Sequence, residues 1–291
     1  MSEPHVFVTR KQTDWGNKER TKTGRMLFFV QEIDMIRLKN EKEIDGIRES
    51  CHALADLFRE VIPQVEPGMS TKDIDDLVVK FIKKIGGKPA WYREDFPGAA
   101  CVSVNNEVIH GVPSKHKIVH DGDLVSLDIG IDLNGYISDS THTVKLGNVK
   151  PMYRKLVQAT RESLVAGIEA CRAGNCIKDI ANAVNDVANG RYGYGVVYEY
   201  CGHGVGIDVH EDPSVPNVWN GGANPRIQAG MVLAIEPMIN LGTADVVTDE
   251  KNGWTVLTAD GSWSCHEEHT VAVFRDHTEI LTLCDDLPKW C

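Results

Sequence analysis

Two aspartates stand inside apolar sequence, and their spacing suggests metal chemistry. The segment 124–144 reads LVSLDIGIDLNGYISDSTHTV, with Asp128 flanked by Leu127 and Ile129 and Asp139 eleven residues later. An ionised carboxylate in such surroundings needs a partner. Asn134-Gly135 is the strongest short signal for a two-residue hairpin, because both residues tolerate positive φ. That loop pairs Leu133 with Tyr136, sets Asp128 opposite Thr141 and sets Asp139 opposite Gly130. Both aspartates then leave the sheet on one face as diagonal neighbours, with Cβ atoms up to ~7 Å apart. Carboxylates so placed can grip neighbouring divalent ions, whereas a one-residue slip would separate them. An EF-hand loop is excluded, since Gly130 occupies its third position and no Glu its twelfth.

Three further groups have matching settings. Glu236 follows the apolar run Met231-Val232-Leu233-Ala234-Ile235, Glu268 precedes His269-Thr270-Val271, and His203 lies in Cys201-Gly202-His203-Gly204-Val205-Gly206. The glycines there allow close approach to a ligand. Taken singly, each aspartate fits a solvated sheet face and His203 a structural role. Together, four carboxylates and one imidazole suit a mainly oxygen-donor site for two divalent ions. Such pairs sit about 3.5–4 Å apart in dinuclear hydrolases and hold a water or hydroxide as nucleophile at neutral pH. His266-Glu267-Glu268-His269 lacks the HExxH spacing, and neither a serine elbow nor a phosphate-binding loop occurs.

The elements that carry these groups come in two related sets. Arg48-Glu49-Ser50 returns as Arg161-Glu162-Ser163, and Gly68 with Lys72-Asp73-Ile74 returns as Gly174 with Lys178-Asp179-Ile180. His110-Gly111-Val112 returns as His203-Gly204-Val205, and His142-Thr143-Val144 as His269-Thr270-Val271. The run 122–128 resembles 230–236, which makes Asp128 and Glu236 counterparts. Five colinear matches at varying offsets indicate a diverged duplication rather than a repeat array. In the first half, Asn40 and Glu43 form a capping box. Ile44, Ile47, Cys51, Leu54, Phe58 and Val61 then share one helical stripe. A second helix runs from about Ser70 to Gly86-Gly87. In the second half, Pro151 opens a helix ending near Ala173-Gly174, and another carries Ile177, Ile180, Val184 and Val187. The expected fold is α+β: two pseudo-symmetric halves, about 40–149 and 150–284, share a central sheet covered by helices on one face. A cleft between the halves is the natural ligand site.

Residues 1–39 precede the repeat, with 8 Lys and Arg against 5 Asp and Glu, and read as a basic extended arm. The remainder carries 23 against 37, an acidic body unsuited to nucleic acid as main ligand. No apolar run approaches the roughly 20 residues needed to cross a bilayer. The N-terminus MSEPHVFVTRKQTDW lacks a signal-peptide core. A soluble, cytoplasmic protein is expected. The eight cysteines form no CxxC pair and read as buried free thiols.

The sequence resembles type I methionine aminopeptidases, of the pita-bread fold, over about residues 40–284. The resemblance rests on NNEVIHGVP (105–113), SLDIGIDLNGYISDST (126–141), EYCGHGVGIDVHEDP (199–213), LAIEPM (233–238) and EEHTV (267–271). It implies Asp128, Asp139, His203, Glu236 and Glu268 as metal ligands, with Asp139 and Glu268 bridging two ions (Co, Mn, Fe or Zn). It implies removal of the initiator Met from nascent proteins by a metal-bridging hydroxide, with a small second residue preferred. Glu236 would shuttle the proton, His210 would hydrogen-bond the scissile carbonyl and His110 the amide nitrogen. Tyr92, Phe96, Cys101 and Trp254 match the family's methionine pocket, while Glu94 departs from its pattern. His142 and His269 are read as structural. Only 25 residues separate His210 from Glu236, which favours type I over type II. The resemblance implies a monomer, and the basic arm suits transient ribosome contact. The rivals are aminopeptidase P or prolidase, which carry a folded N-terminal domain of over a hundred residues, and a non-catalytic binding homologue.

Overall fold

The computed structural model describes residues 36–283, so most of the basic arm and the last eight residues lie outside it. Helix α1 spans Glu41–Val61, and Asn40 and Glu43 close its capping box in both directions. Helix α2 spans Thr71–Lys84 with a second capping box between Ser70 and Asp73. Helix α3, Pro151–Ala170, begins at the expected proline but ends before Ala173. The chain turns away at Cys171, and the Gly174 N–H donates to the Ile227 carbonyl instead of extending the helix. Helix α4 is Ile177–Asn185, and a π-turn, Asp186–Arg191, takes up Val187.

Nine antiparallel strands make the central sheet. Along it run Lys88–Pro89, Leu124–Leu133, Tyr136–Lys145, Glu268–Val273, Val232–Ile235, Cys201–Gly204 and Glu211–Pro216. Ala100–Val104 joins at Leu124–Leu133, and Thr278–Ile280 at Glu268–Val273. The strand just before Glu236 and the strand containing Asp128 thus flank the middle pair from opposite sides. The His-Gly-Val motifs do not correspond in the same way. His203 lies within a central strand, whereas His110 follows Glu107–Ile109 of a separate three-stranded sheet.

Side-chain alternation divides the sheet's two faces. Val125, Leu127, Ile129 and Ile131 pack beneath α1 and α2 with Leu54, Phe58, Ile74 and Val78. Leu233, Ile235, Val271 and Val273 pack beneath α3 and α4 with Leu164, Ile168, Ile180 and Val184. The helices therefore take the odd positions of these three strands. Asp128, Glu236 and Glu268, at even positions, go to the opposite face. Of the six described cysteines, none is in a disulfide. Cys51, Cys101, Cys171 and Cys265 are buried, while Cys176 and Cys201 are half-buried.

The chain immediately before α1 is not a free arm. The Lys39 N–H donates to the Gly230 carbonyl, and Lys39 is only 5% exposed. Its ammonium lies 2.6 Å from Glu211 Oε2, and burial lowers its pKa against the opposing pull of Glu211. Glu211 Oε1 in turn accepts the backbone N–H groups of Ile207 and Asp208, so the pair ties the segment leading to His210. Lys39→Met removes one partner of a buried ion pair. It should cost about 3 kcal/mol, the lower end of the range for such losses, because two N–H donors still hold Glu211. The urea midpoint measures this, and an unchanged midpoint would mean that the pair is not stabilising.

Candidate metal centre

The hairpin forms in the expected register. Asn134 and Gly135 both have positive φ. Leu133 pairs with Tyr136, Asp128 with Thr141 and Gly130 with Asp139. Thr141 pairs on its other side with Glu268, so Asp128, Thr141 and Glu268 form a row across three strands. Thr141 Oγ1 donates to Glu268 Oε2 at 2.9 Å. His269 pairs with Ile235, which brings the neighbouring Glu236 to the same region. His203 Nε2 lies 3.4 Å from Glu236 Oε1 and 3.7 Å from Asp139 Oδ2. Ligand atoms of Asp139, His203 and Glu268 lie within 4.8 Å of one another.

The flanking glycines of His203 serve the sheet rather than a ligand. A Cβ on Gly202 would stand 2.3 Å from the Ala234 carbonyl oxygen, and one on Gly204 2.5 Å from that of Asp212. Both neighbouring strands therefore require glycine there. His203 Nδ1 lies 2.9 Å from the Gly204 carbonyl oxygen. A carbonyl only accepts, so the proton belongs on Nδ1 and the Nε2 lone pair faces the carboxylates. This is the arrangement of a metal-ligating imidazole fixed by a backbone acceptor.

Exposure is 7% for Asp128, 1% for Asp139, 9% for His203, 8% for Glu236 and 2% for Glu268. Burial raises the pKa of Asp128 to about 6 and of Glu236 to about 8. Burial and mutual repulsion push Asp139 and Glu268 well above the usual carboxylate range. Burial lowers His203 to about 3, so it is neutral at pH 7. Asp128 Oδ1, Asp139 Oδ1 and Glu268 Oε1 are buried with no hydrogen-bond partner among the described residues. Anions without partners are too costly to bury; the cluster must hold either protons or cations. The donor set fits divalent cations.

The other expected site residues are distributed around this cluster. His210 is exposed, its ring centroid 4.4 Å from that of His203 and its Nδ1 3.7 Å from Glu94 Oε1. Burial alone would lower its pKa, but Glu94 outweighs it and the net shift is upward. His110 adopts φ +55°, and burial, helped by the fields of His210 and His266, lowers its pKa to about 4. Its ring stands edge-on to Trp254, and Trp254 edge-on to Phe96 at 5.3 Å. Phe96, Cys101 and Trp254 belong to one apolar cluster, and Cys101 pairs directly with Asp128. Tyr92 is not brought into that cluster and is 53% exposed; the neighbouring Trp91 is buried there, donating from Nε1 to the Asp128 carbonyl. His142 and His269 lie on the helix side of the sheet, with His142 edge-on to Phe58 and His269 Nδ1 2.9 Å from Thr282 Oγ1.

Sequence reasoning passed over His266. It stands two residues before Glu268, and its Nε2 is 3.4 Å from Glu236 Oε2. The available signal was period two: in extended chain His266 and Glu268 share a face, while Glu267 and His269 take the other. Glu267 indeed points away, paired with Arg161 at 2.8 Å.

The model of metallopeptidase family M24 matches residues 45–274. The chain belongs to this family. Among relatives in the M24 family, a methionine aminopeptidase of Treponema pallidum is 57% identical over 249 residues, covering 85% of this chain and 96% of that protein. One of Borreliella burgdorferi is 48% identical, with 85% and 98% covered. The crystal structure of a methionine aminopeptidase from Rickettsia prowazekii superposes with a TM-score of 0.82 at 34% identity, covering 86% of this chain and all of that one. The prolidase of Pyrococcus furiosus has the same fold, with a TM-score of 0.70 at 24% identity, but only 66% of its chain is covered. The M24 pita-bread fold thus matches the expected α+β architecture. Among the described residues no helix is long and apolar enough to cross a membrane.

Proposed function

We propose that this M24 peptidase removes the initiator methionine from nascent proteins, acting in the cytoplasm as a monomer. The observation that carries this reading is an apolar wall beside the carboxylate cluster. Phe96, Trp254 and Cys101 pack together, and Cys101 is the cross-strand partner of Asp128. Such a wall suits an unbranched thioether side chain. The relatives named methionine aminopeptidase, covered over nearly their whole length, support the same assignment.

Asp128, Asp139, His203, Glu236 and Glu268 would hold two divalent ions. Cobalt, manganese, iron and zinc all suit this donor set. When bound, such ions supply an activated water and Lewis-acid polarisation of the scissile carbonyl. Glu236 would carry the proton from the attacking water toward the leaving amine. His210 donates to the scissile carbonyl oxygen, and His110 hydrogen-bonds the amide nitrogen. A bulky second residue is excluded by sterics. The basic residues of 1–39, the buried Lys39 excepted, would contact ribosomal RNA through charge. Of these, 1–35 lie outside the described residues.

Peptide cleavage with and without chelator tests the assignment. Met-Ala-Ser should lose Met, Met-Lys-Ser should not, and metal removal should stop the reaction. Cleavage of Xaa-Pro peptides instead would reassign the chain to the aminopeptidase P reaction.

A further inference from the structure

His266 is buried to 2% exposure, and neither ring nitrogen has a hydrogen-bond partner among the described residues. A neutral imidazole carries one N–H, and leaving it without an acceptor in the interior is costly. One acceptor stands near it: Glu236 Oε2, 3.4 Å from Nε2. The other oxygen of that carboxylate, Oε1, is 3.4 Å from His203 Nε2. Glu236 is therefore bracketed by two imidazoles of different kinds. His203 presents a lone pair, because its Nδ1 proton goes to the Gly204 carbonyl. Asp128 and Glu267 also act on the His266 ring through their charge, but Glu236 Oε2 is the carboxylate oxygen facing its Nε2 at 3.4 Å.

Backbone pairing holds this bracket in place. His266 pairs with Met238 and Cys265 with Ile239, so the strand carrying His266 is zipped to the strand that begins two residues after Glu236. The imidazole and the carboxylate it faces are thus fixed to one ladder. A ligating carboxylate whose free oxygen is held by a buried donor keeps its orientation as the ion arrives.

We infer that His266 is a positioning residue: in the metal-loaded protein its Nε2–H donates to Glu236 Oε2 and so aims Glu236 Oε1 at the metal site. The inference rests on the assignment of Glu236 as a ligand but not on the identity of the substrate. Through Glu236 it should affect metal affinity and turnover, and leave the apolar wall that recognises the substrate side chain untouched.

The test compares His266→Leu, which fills the space without a donor, with His266→Gln, which restores an N–H. Calorimetric titration of metal-free protein with Mn²⁺ should show affinity for at least one ion about 10- to 100-fold weaker in the Leu variant. The Gln variant should stay within about threefold of wild type. With Met-Ala-Ser, the Leu variant should lose kcat at least about tenfold with KM within about twofold, as expected when an interaction outside substrate binding is removed. Equal Mn²⁺ affinity in wild type and His266→Leu, or equal impairment of the Leu and Gln variants, would overturn the inference. Should the Leu variant fail to fold, ¹⁵N-histidine spectra of the Zn²⁺-loaded wild type decide: protonation at Nε2 of His266 supports it and a bare Nε2 refutes it. Failure of the wild type to cleave Met-Ala-Ser, with the titration difference intact, would sink the substrate assignment and leave His266's role standing.

Discussion

Asp139→Asn should lower kcat/KM for Met-Ala-Ser at least about a hundredfold, the scale of losing one strong, preorganised electrostatic contact. The same substitution should leave the metal-free protein at least as stable as the wild type. Both expectations have one cause. Asp139 is 1% exposed and leaves Oδ1 without a partner. Burial and the neighbouring Asp128 and Glu236 push its pKa well above the normal range. A carboxylate so placed destabilises the empty site and is kept for what it holds when charged. Asparagine removes the repulsion along with the charge, and its amide can donate to the surrounding carboxylates. Steady-state kinetics at saturating metal, together with thermal unfolding after chelation, measure both halves. Near-normal turnover would remove Asp139 from the ligand set.

Stripping divalent metal should abolish cleavage and leave a protein whose stability falls as pH rises through neutrality. Glu236 titrates at about 8 in the fold, and Asp139 and Glu268 well above the carboxylate range, against ordinary values near 4. A raised pKa means the folded chain holds protons that the unfolded chain has already released. That stability is fully present below the unfolded pKa and is lost as pH climbs through the folded one. The buried histidines act oppositely, but their effect fades above about pH 7, where the unfolded imidazoles have lost most of their protons. Between pH 7 and 8 the carboxylates dominate the slope, and His210, whose pKa is also raised, acts in the same sense. One group contributes about 1.4 kcal/mol per pH unit, and a domain of this size loses about 2–4 °C per kcal/mol. The Tm of metal-free protein should therefore drop by at least about 3 °C per pH unit in that window. With Mn²⁺ present, cations replace the protons, and the Tm gap between loaded and stripped protein should widen with pH. A metal-free Tm that is flat or rising over the window would mean that these carboxylates are already ionised.

Much of the site could be read from local rules. Asn134-Gly135 fixes the hairpin loop, and the loop fixes the register. Register and period two together put Asp128 and Asp139 on one face before any distance is known. The cap and the apolar stripe of α1 followed in the same way. Each is set by residues within one turn or one strand pair of one another.

What escaped the sequence was whatever depends on a partner distant along the chain. Lys39 reads as the end of a polar arm until Glu211, 172 residues away, is placed against it. His266 looks like a failed zinc motif until Glu236 arrives beside its ring. Tyr92 and Trp91 are adjacent aromatics, and only packing decides that Trp91 enters the apolar cluster while Tyr92 faces solvent. The glycines around His203 suggest room for a ligand, yet the Ala234 and Asp212 carbonyls fill that room. By itself the sequence determined which side chains share a face, because alternation and turn chemistry act over a few residues. The tertiary structure decided which faces meet and at what distance, because that depends on how separate strands and helices close-pack.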